Sequence, residues 1–364
     1  MMTGYYSVRD FDWTLLGLTA IISTLGVLEI YSATRSTVWQ DAHLKQMAWL
    51  AAGVVLLWLV SVIDYNWLVE HVPALYVGAV VLLVAVKLFA PVINGSQRWL
   101  PLPGGVSFQV SEFVKVALIL LVARYFGDRS EQHLDWTGLL KIFALFAAPV
   151  VLVAVQPDLS TALSFLPILA ASVLFAGMRW KQAAVLAVLA LLVLPLGWRS
   201  LKPYQKARVL AFADTSHDPQ GAGYQQMQSK IAVGAGGIWG QGLSHGSQTQ
   251  LRFIPVPHTD FIFSAFAEET GFSGVVLALS LYFILLMKIV NNAQTAADPA
   301  GKFICVSVAG LILFHILVNI GMVIGRMPVT GLPLPLMSYG GSHVFSTLML
   351  IGLVNNVRLR RFTN

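Results

Sequence analysis

Residues 182–198 read QAAVLAVLALLVLPLGW, an apolar run with no acidic or basic side chain, bounded by Lys181 and Arg199. A run of this length matches the hydrocarbon core of a bilayer, which takes about 17–25 residues of helix. Similar runs fill the chain on both sides of it. We read spans near 13–31, 46–63, 67–90, 111–127, 138–155, 160–177, 182–198, 260–288, 301–324 and 335–356. Gln156, Pro157 and Asp158 leave only a tight turn between the fifth and sixth, with Asp158 placed to cap the helix that follows. Helices satisfy their own backbone groups in lipid. The expected fold is therefore an all-α polytopic membrane protein of about ten transmembrane helices, one integral membrane domain over 1–364.

Composition agrees with that reading. Of the 364 residues 57% are hydrophobic and 11% charged, where a soluble domain carries about 25% charged. Too little polar surface is left to solvate a globule. The net charge of +6 is no nucleic-acid signal, because Lys and Arg sit mostly in short loops between apolar runs. The single cysteine, Cys305, lies inside an apolar run, so no disulfide within the chain can form. Met1 to Asp12 reads as a polar lead into the first span and not as a removable signal peptide.

Lys and Arg also set the orientation. With both termini cytoplasmic, the inner segments hold 11 of them and the short outer segments hold 6. The remaining six lie in 199–259, a segment too long to count in the positive-inside rule. That segment, between the seventh and eighth spans, is expected to be one large extracytoplasmic loop. Its apolar patches and glycine clusters predict partial helices against the membrane rather than disorder. A second outer loop runs from about Pro91 to Val110. Loops this long are usually functional or disordered.

Ionisable groups inside or beside an apolar helix cost about 2.5–3.5 kcal/mol each on insertion scales and need a reason. Asp260, in PHTDFIF at 257–263, stands where the long loop enters the eighth span. A raised pKa would suit it as a general base; capping the helix is the plainer role. Glu112 and Lys115, three apart, share a helix face. They form a salt bridge, or Lys115 meets a phosphate that Glu112 orients. Glu268 and Glu269 precede Thr270-Gly271; their role is structural, or at least one faces a polar cavity or a helix break near Gly271. Metal ligation there lacks a His or Cys cluster of ligand spacing, so no metal residues are assigned. Asn319, Arg326, Pro328, Gly331, Pro333, Pro335, Ser338 and Tyr339 crowd the outer ends of the last two spans. Broken helices at membrane depth occur where they are packed or line a cavity. Arg326 binds a phosphate or snorkels to the interface. Arg98-Trp99 stacks on a sugar or acyl chain, or is an interfacial anchor.

In this order the groupings resemble the SEDS family of bacterial membrane proteins. The matching stretches are NGSQRW at 94–99, FQVSEFVK at 108–115, QPDLST at 156–161, GAGYQQMQSKIAVGAGG at 221–237, HTDFIF at 258–263, EETG at 268–271 and PLPLMSYGG at 333–341. The short N-terminal lead and GSQTQL at 246–251 are similar to the RodA-type branch, which serves elongation; the FtsW-type division branch is the alternative. Val110, Ser160, Val256 and His343 depart from the usual Pro, Gly, Glu and Ser at those positions.

The resemblance implies a peptidoglycan glycosyltransferase in the bacterial inner membrane that polymerises lipid II into glycan strands, its active site on the extracytoplasmic side. It implies a class B penicillin-binding protein as transpeptidase partner within the elongation machinery, and no nucleic acid. The family's essential aspartate maps onto Asp260, its supporting Glu and Lys onto Glu112 and Lys115, and its loop Trp onto Trp99. Inverting displacement of a polyprenyl pyrophosphate needs one base on the acceptor hydroxyl and cations on the leaving group. Lys115, Arg208, Lys230 and Arg252 are candidates for the pyrophosphate, and Arg98, Trp99, His258 and Ser338 complete the expected binding set. The cofactor is left open, with a divalent cation, Mg or Mn, as one candidate. A lipid II flippase with the same cavity and no base is the alternative from another class.

Overall fold

The structure is a computed structural model that describes residues 10–35, 37–92, 97–102, 106–129, 134–215, 218 and 221–362. Arg9, the start of the polar lead and 94–96 of the first outer loop lie outside the described residues.

The chain begins with α1 (Trp13–Thr34), α2 (Ala42–Val62), α3 (Tyr65–Glu70) and α4 (Val72–Phe89). An antiparallel hairpin of β1 (Leu100–Leu102) and β2 (Val106–Phe108) leads into α5 (Val110–Gly127). Next come α6 (Trp136–Val155), the 156–158 turn, α7 (Leu159–Ser164), α8 (Leu166–Phe175) and α9 (Trp180–Ser200). Three shorter helices follow: α10 (Pro203–Ala213), α11 (Ala222–Ala235) and α12 (Ser247–Gln250). The chain then runs through α13 (Ile262–Gln294), α14 (Pro299–Val323) and α15 (Gly341–Leu359).

Every apolar run read from the sequence falls on helix. Seven of the helices, α1, α2, α4, α6, α9, α13 and α14, are long and apolar enough to cross a membrane. The runs at 111–127, 160–177 and 335–356 fall on α5, on α7 with α8, and on α15. These carry more polar side chains or are split, α5 by Glu112 and Lys115 and α15 by His343, Asn355 and Asn356. Two expected boundaries move. The helix after the long loop starts at Ile262, which leaves Asp260 in the turn before it. Residues 335–340 are not helical, since Leu336 at φ 68° and Gly340 at φ 156° lie outside the helical region; they form a strap that crosses the bundle.

Most residues of α5, α14 and α15 are buried, and these helices make the inner layer. α15 packs on α2, while α14 packs on α5, α8 and α13. By contrast Gln182 is the single buried residue of α9. Aspartates start many of the helices. Asp12, Asp135, Asp158 and Asp298 cap α1, α6, α7 and α14, each accepting a backbone N–H of the first turn. Asp12 does more. It accepts Asn292 Nδ2 at 3.0 Å and pairs with Lys288 at 3.4 Å and Arg358 at 3.6 Å. One carboxylate thus ties α1, α13 and α15 together at the end rich in basic residues.

Helix α13 breaks at Gly271, whose φ of 68° and ψ of −167° no other residue type adopts without strain. The backbone groups freed there pair with the chain between α11 and α12. Gln241 and Gly242 donate to the carbonyls of Glu268 and Glu269, and Phe272 and Ser273 donate to those of Gly237 and Ile238, all within 2.9–3.0 Å. The expected break beside the paired glutamates is where the long segment docks.

Candidate active site

Asp260 lies in a turn whose neighbours are fixed by backbone bonds. Tyr339 N donates to His258 O at 3.0 Å, Ser338 Oγ to Thr259 O at 2.7 Å, and Asn319 Nδ2 to Asp260 O at 2.8 Å. The turn therefore leans on the strap and on α14. Its carboxylate points the other way, toward Gly331. A β-carbon at Gly331 would stand 3.1 Å from Asp260 Oδ2 and 4.0 Å from an Arg208 nitrogen. Gly331 also has a φ of 77°, so a side chain is excluded there on two counts.

Among the described residues nothing hydrogen-bonds the half-buried Asp260 carboxylate. Burial pushes its carboxyl above the usual carboxylate range, and the charges of Arg208 and Arg98 oppose the rise without cancelling it. Both arginines are held by built-in partners. Arg208 comes from α10, one turn after Tyr204, whose hydroxyl donates to Pro157 O at 3.1 Å. Arg208 itself donates to Thr330 O at 3.3 Å. Ser160 Oγ donates to the same carbonyl, so the departure from Gly at 160 adds a bond one residue from Gly331. Arg98 pairs with Asp158 at 3.2 Å, and Asp158 also accepts Gln109 Nε2 at 2.9 Å while capping α7. The turn residue Asp158 is thereby the anchor for one of the two cations.

Two other expected site residues form a cluster of their own. Glu112 and Lys115 pair at 2.8 Å, with 3% and 1% of their surfaces exposed. Glu112 also meets His343 Nδ1 at 3.1 Å and accepts Ser346 Oγ at 2.8 Å. This is a closed core cluster, and the charges acting on Asp260 are the arginines instead. His343, a departure from the family pattern, stacks on His315 at 5.4 Å, and His315 holds Pro333 O at 3.1 Å. Nothing local in the sequence announces His315; a histidine inside an apolar run was the available signal.

Lys230 is exposed and its stem lies against Gly325. Arg252 is exposed on the segment before the site. The charges that act on Asp260 are those of Arg208 and Arg98. His258 is buried between Trp39 and Tyr339, with ring centres 5.7 and 5.4 Å away. Burial pulls its pKa down to about 4, so it is neutral at physiological pH. Ser338 is fully buried, and its hydroxyl is spent on Thr259 O and Leu334 N. These two build the turn. Trp99 is half-buried at the foot of the hairpin beside Arg98.

Glu268 and Glu269 anchor the long segment. Glu268 accepts Gln248 N at 2.7 Å, Thr249 N at 3.0 Å, Thr249 Oγ1 at 2.7 Å and Ser247 Oγ at 3.3 Å. Glu269 accepts Ser32 Oγ of α1 at 2.6 Å. No group of three or more His, Cys, Asp or Glu side chains that could hold a metal ion occurs among the described residues.

A carboxylate kept free of hydrogen bonds, raised in pKa and faced by two arginines suits proton abstraction beside a departing anion. Comparison with known proteins agrees on the kind of molecule. A family model covering FtsW, RodA and SpoVE and described as "Cell cycle protein" matches residues 12–362. The chain is 37% identical to peptidoglycan glycosyltransferase MrdB of Escherichia coli K12, over 98% of this chain and 96% of that one. It is 32% identical to peptidoglycan glycosyltransferase RodA of Treponema pallidum, over 97% and 99%. Among solved structures, a chain from work on the structural coordination of polymerization and crosslinking by a peptidoglycan synthase complex superposes with a TM-score of 0.84 at 33% identity, covering 97% of this chain and 99% of that one. The rod shape determining protein RodA of Thermus thermophilus superposes with a TM-score of 0.72 at 29% identity, covering 97% and 98%.

Proposed function

The chain belongs to the FtsW, RodA and SpoVE family of cell cycle proteins, and we propose that Asp260 is the general base with which it joins lipid-linked peptidoglycan units. It is a multi-pass membrane peptidoglycan glycosyltransferase of the elongation type. In the proposed reaction the acceptor sugar's 4-hydroxyl gives its proton to the Asp260 carboxylate. The hydroxyl oxygen attacks the donor's anomeric carbon, the bond to the pyrophosphate oxygen breaks, and the configuration inverts. Polyprenyl pyrophosphate leaves with the electron pair, and Arg208 and Arg98 meet its charge. Glu112 and Lys115 support the core from a distance. Magnesium or manganese on the pyrophosphate would add to the arginines' effect; loss of activity in a chelator, restored by either ion, would support it.

The proposed setting is the bacterial inner membrane, crossed ten times with both termini cytoplasmic and 199–259 outside. Lipid II supplies the sugars and a class B penicillin-binding protein supplies the crosslinking. The single observation that carries the mechanism is the unpartnered Asp260 carboxylate between Gly331 and the two arginines. Its test is polymerisation of purified lipid II by full-length Asp260→Asn chain with the transpeptidase partner. An enzyme loses glycan synthesis in that variant; a flippase that needs only polarity keeps its function.

A further inference from the structure

The structure assigns Asn319 as the positioning residue of Asp260, an inference that rests on the proposed role of that carboxylate as base. Asn319 is fully buried in α14, one turn before that helix ends at Val323. Its Nδ2 donates to two carbonyl oxygens at 2.8 Å each, Asp260 O on one side and Leu332 O on the other. Only the amide's NH2 can serve there, since both partners are acceptors. Leu332 follows Gly331, the residue that faces the carboxylate. One NH2 group thus joins the backbone of the base to the backbone of the wall opposite it.

The rest of the turn is held in the same manner. The carbonyls of residues 258, 259 and 260 accept, in order, Tyr339 N, Ser338 Oγ and Asn319 Nδ2. One helical turn before Asn319, on the same face of α14, His315 holds the carbonyl that follows Leu332, Pro333 O, at 3.1 Å. Three fixed carbonyls in a row leave the turn little torsional freedom. The direction of the Asp260 side chain follows from that backbone, because its own carboxylate has no hydrogen bond to steer it. Of the three donors Asn319 acts at residue 260 itself and is the sole one that reaches the facing wall. Its Oδ1 is buried without a partner, so its hydrogen bonding goes entirely through the two donor bonds.

Steady-state polymerisation by the full-length chain with its transpeptidase partner, lipid II as the varied substrate, tests this. Asn319→Leu keeps the bulk and removes the donors. We expect kcat to fall about 100-fold, the loss that about 1 Å of misplacement brings, with KM for lipid II within about threefold. Asn319→Gln keeps an NH2 on a longer arm and is expected to fall between the two. The fraction of folded chain is followed by thermal melting of each preparation. A structural role would scale activity with the folded fraction and leave kcat per folded molecule unchanged. That result, or failure of both variants to fold, overturns the inference, as does an Asn319→Leu enzyme with kcat within about twofold of the parent. Asp260→Asn runs alongside. If it polymerises normally, the base reading falls and takes this inference with it; if it is inactive and Asn319→Leu is normal, this inference alone falls.

Discussion

Asp260 and Glu268 are carboxylates at the same corner of the molecule, one just before α13 and one in its first turns, yet the fold treats them oppositely. Glu268 receives four hydrogen bonds from the α12 segment and is fully buried. Asp260 receives none at its carboxylate and has only the distant charges of Arg208 and Arg98 for company. A saturated carboxylate is a fastener, since every lone pair is committed. An unsaturated one keeps a lone pair for a proton. If Asp260 is the base proposed above, the count of donors around each, rather than its charge or burial, separates architecture from chemistry here. Glu112, closed in by Lys115, His343 and Ser346, falls with Glu268.

That contrast can be broken by substitution. Asp260→Asn should lower lipid II polymerisation by about 1,000-fold or more, within the range for loss of a general base, while the melting temperature stays near that of the parent. A folded, active variant would erase the distinction. Glu112→Gln should do the reverse. Leaving Lys115 buried without its counter-charge costs about 3–5 kcal/mol, read as a large fall in melting temperature, and activity should follow the folded fraction. Glu268→Gln comes next. The amide's NH2 would face donors that now need an acceptor, at a cost of about 1–3 kcal/mol; proteolysis within 237–250 should become faster before global unfolding. Gly331→Ala should reduce turnover about tenfold, because its β-carbon would crowd Asp260 Oδ2 and strain the backbone at once.

The subtlest effect is on pH. Arg208 favours the charged form of Asp260, so Arg208→Gln removes a lowering influence and the carboxyl rises further. Activity needs the deprotonated base and is lost as pH falls through its pKa. The acidic limb of the kcat/KM profile should therefore begin at higher pH in Arg208→Gln than in the parent. An unmoved or downward-shifted limb would show that Arg208 does not act on this group.

Much of this was legible in the chain because the signals are local. The apolar runs fell mainly on helix, and Asp260 stood out as an ionisable group at a membrane edge that needs a reason. Gly271 announced the break in α13 beside two glutamates. The partners were not legible, because they are joined only by folding. Glu112 and His343 are 231 positions apart; nothing near either residue names the other. Asp158 reads as a turn cap and is one, yet the same carboxylate also holds Arg98 and Gln109. Lys230 and Arg252 could be counted as cations but not placed, since a positive charge in a loop does not say which way the loop folds. The strap at 335–340 reads as apolar span because hydrophobicity is blind to backbone torsions such as the positive φ of Leu336 and Gly340.

The break at Gly271 has a further consequence for motion. Its four backbone bonds swap partners between α13 and the 237–242 chain, so neither strand of the pair can open without stranding the other. The amides of Gln241, Gly242, Phe272 and Ser273 should then exchange with deuterium as a single cooperative unit. The outer segment and the helix beginning two residues after Asp260 would open and close on one clock.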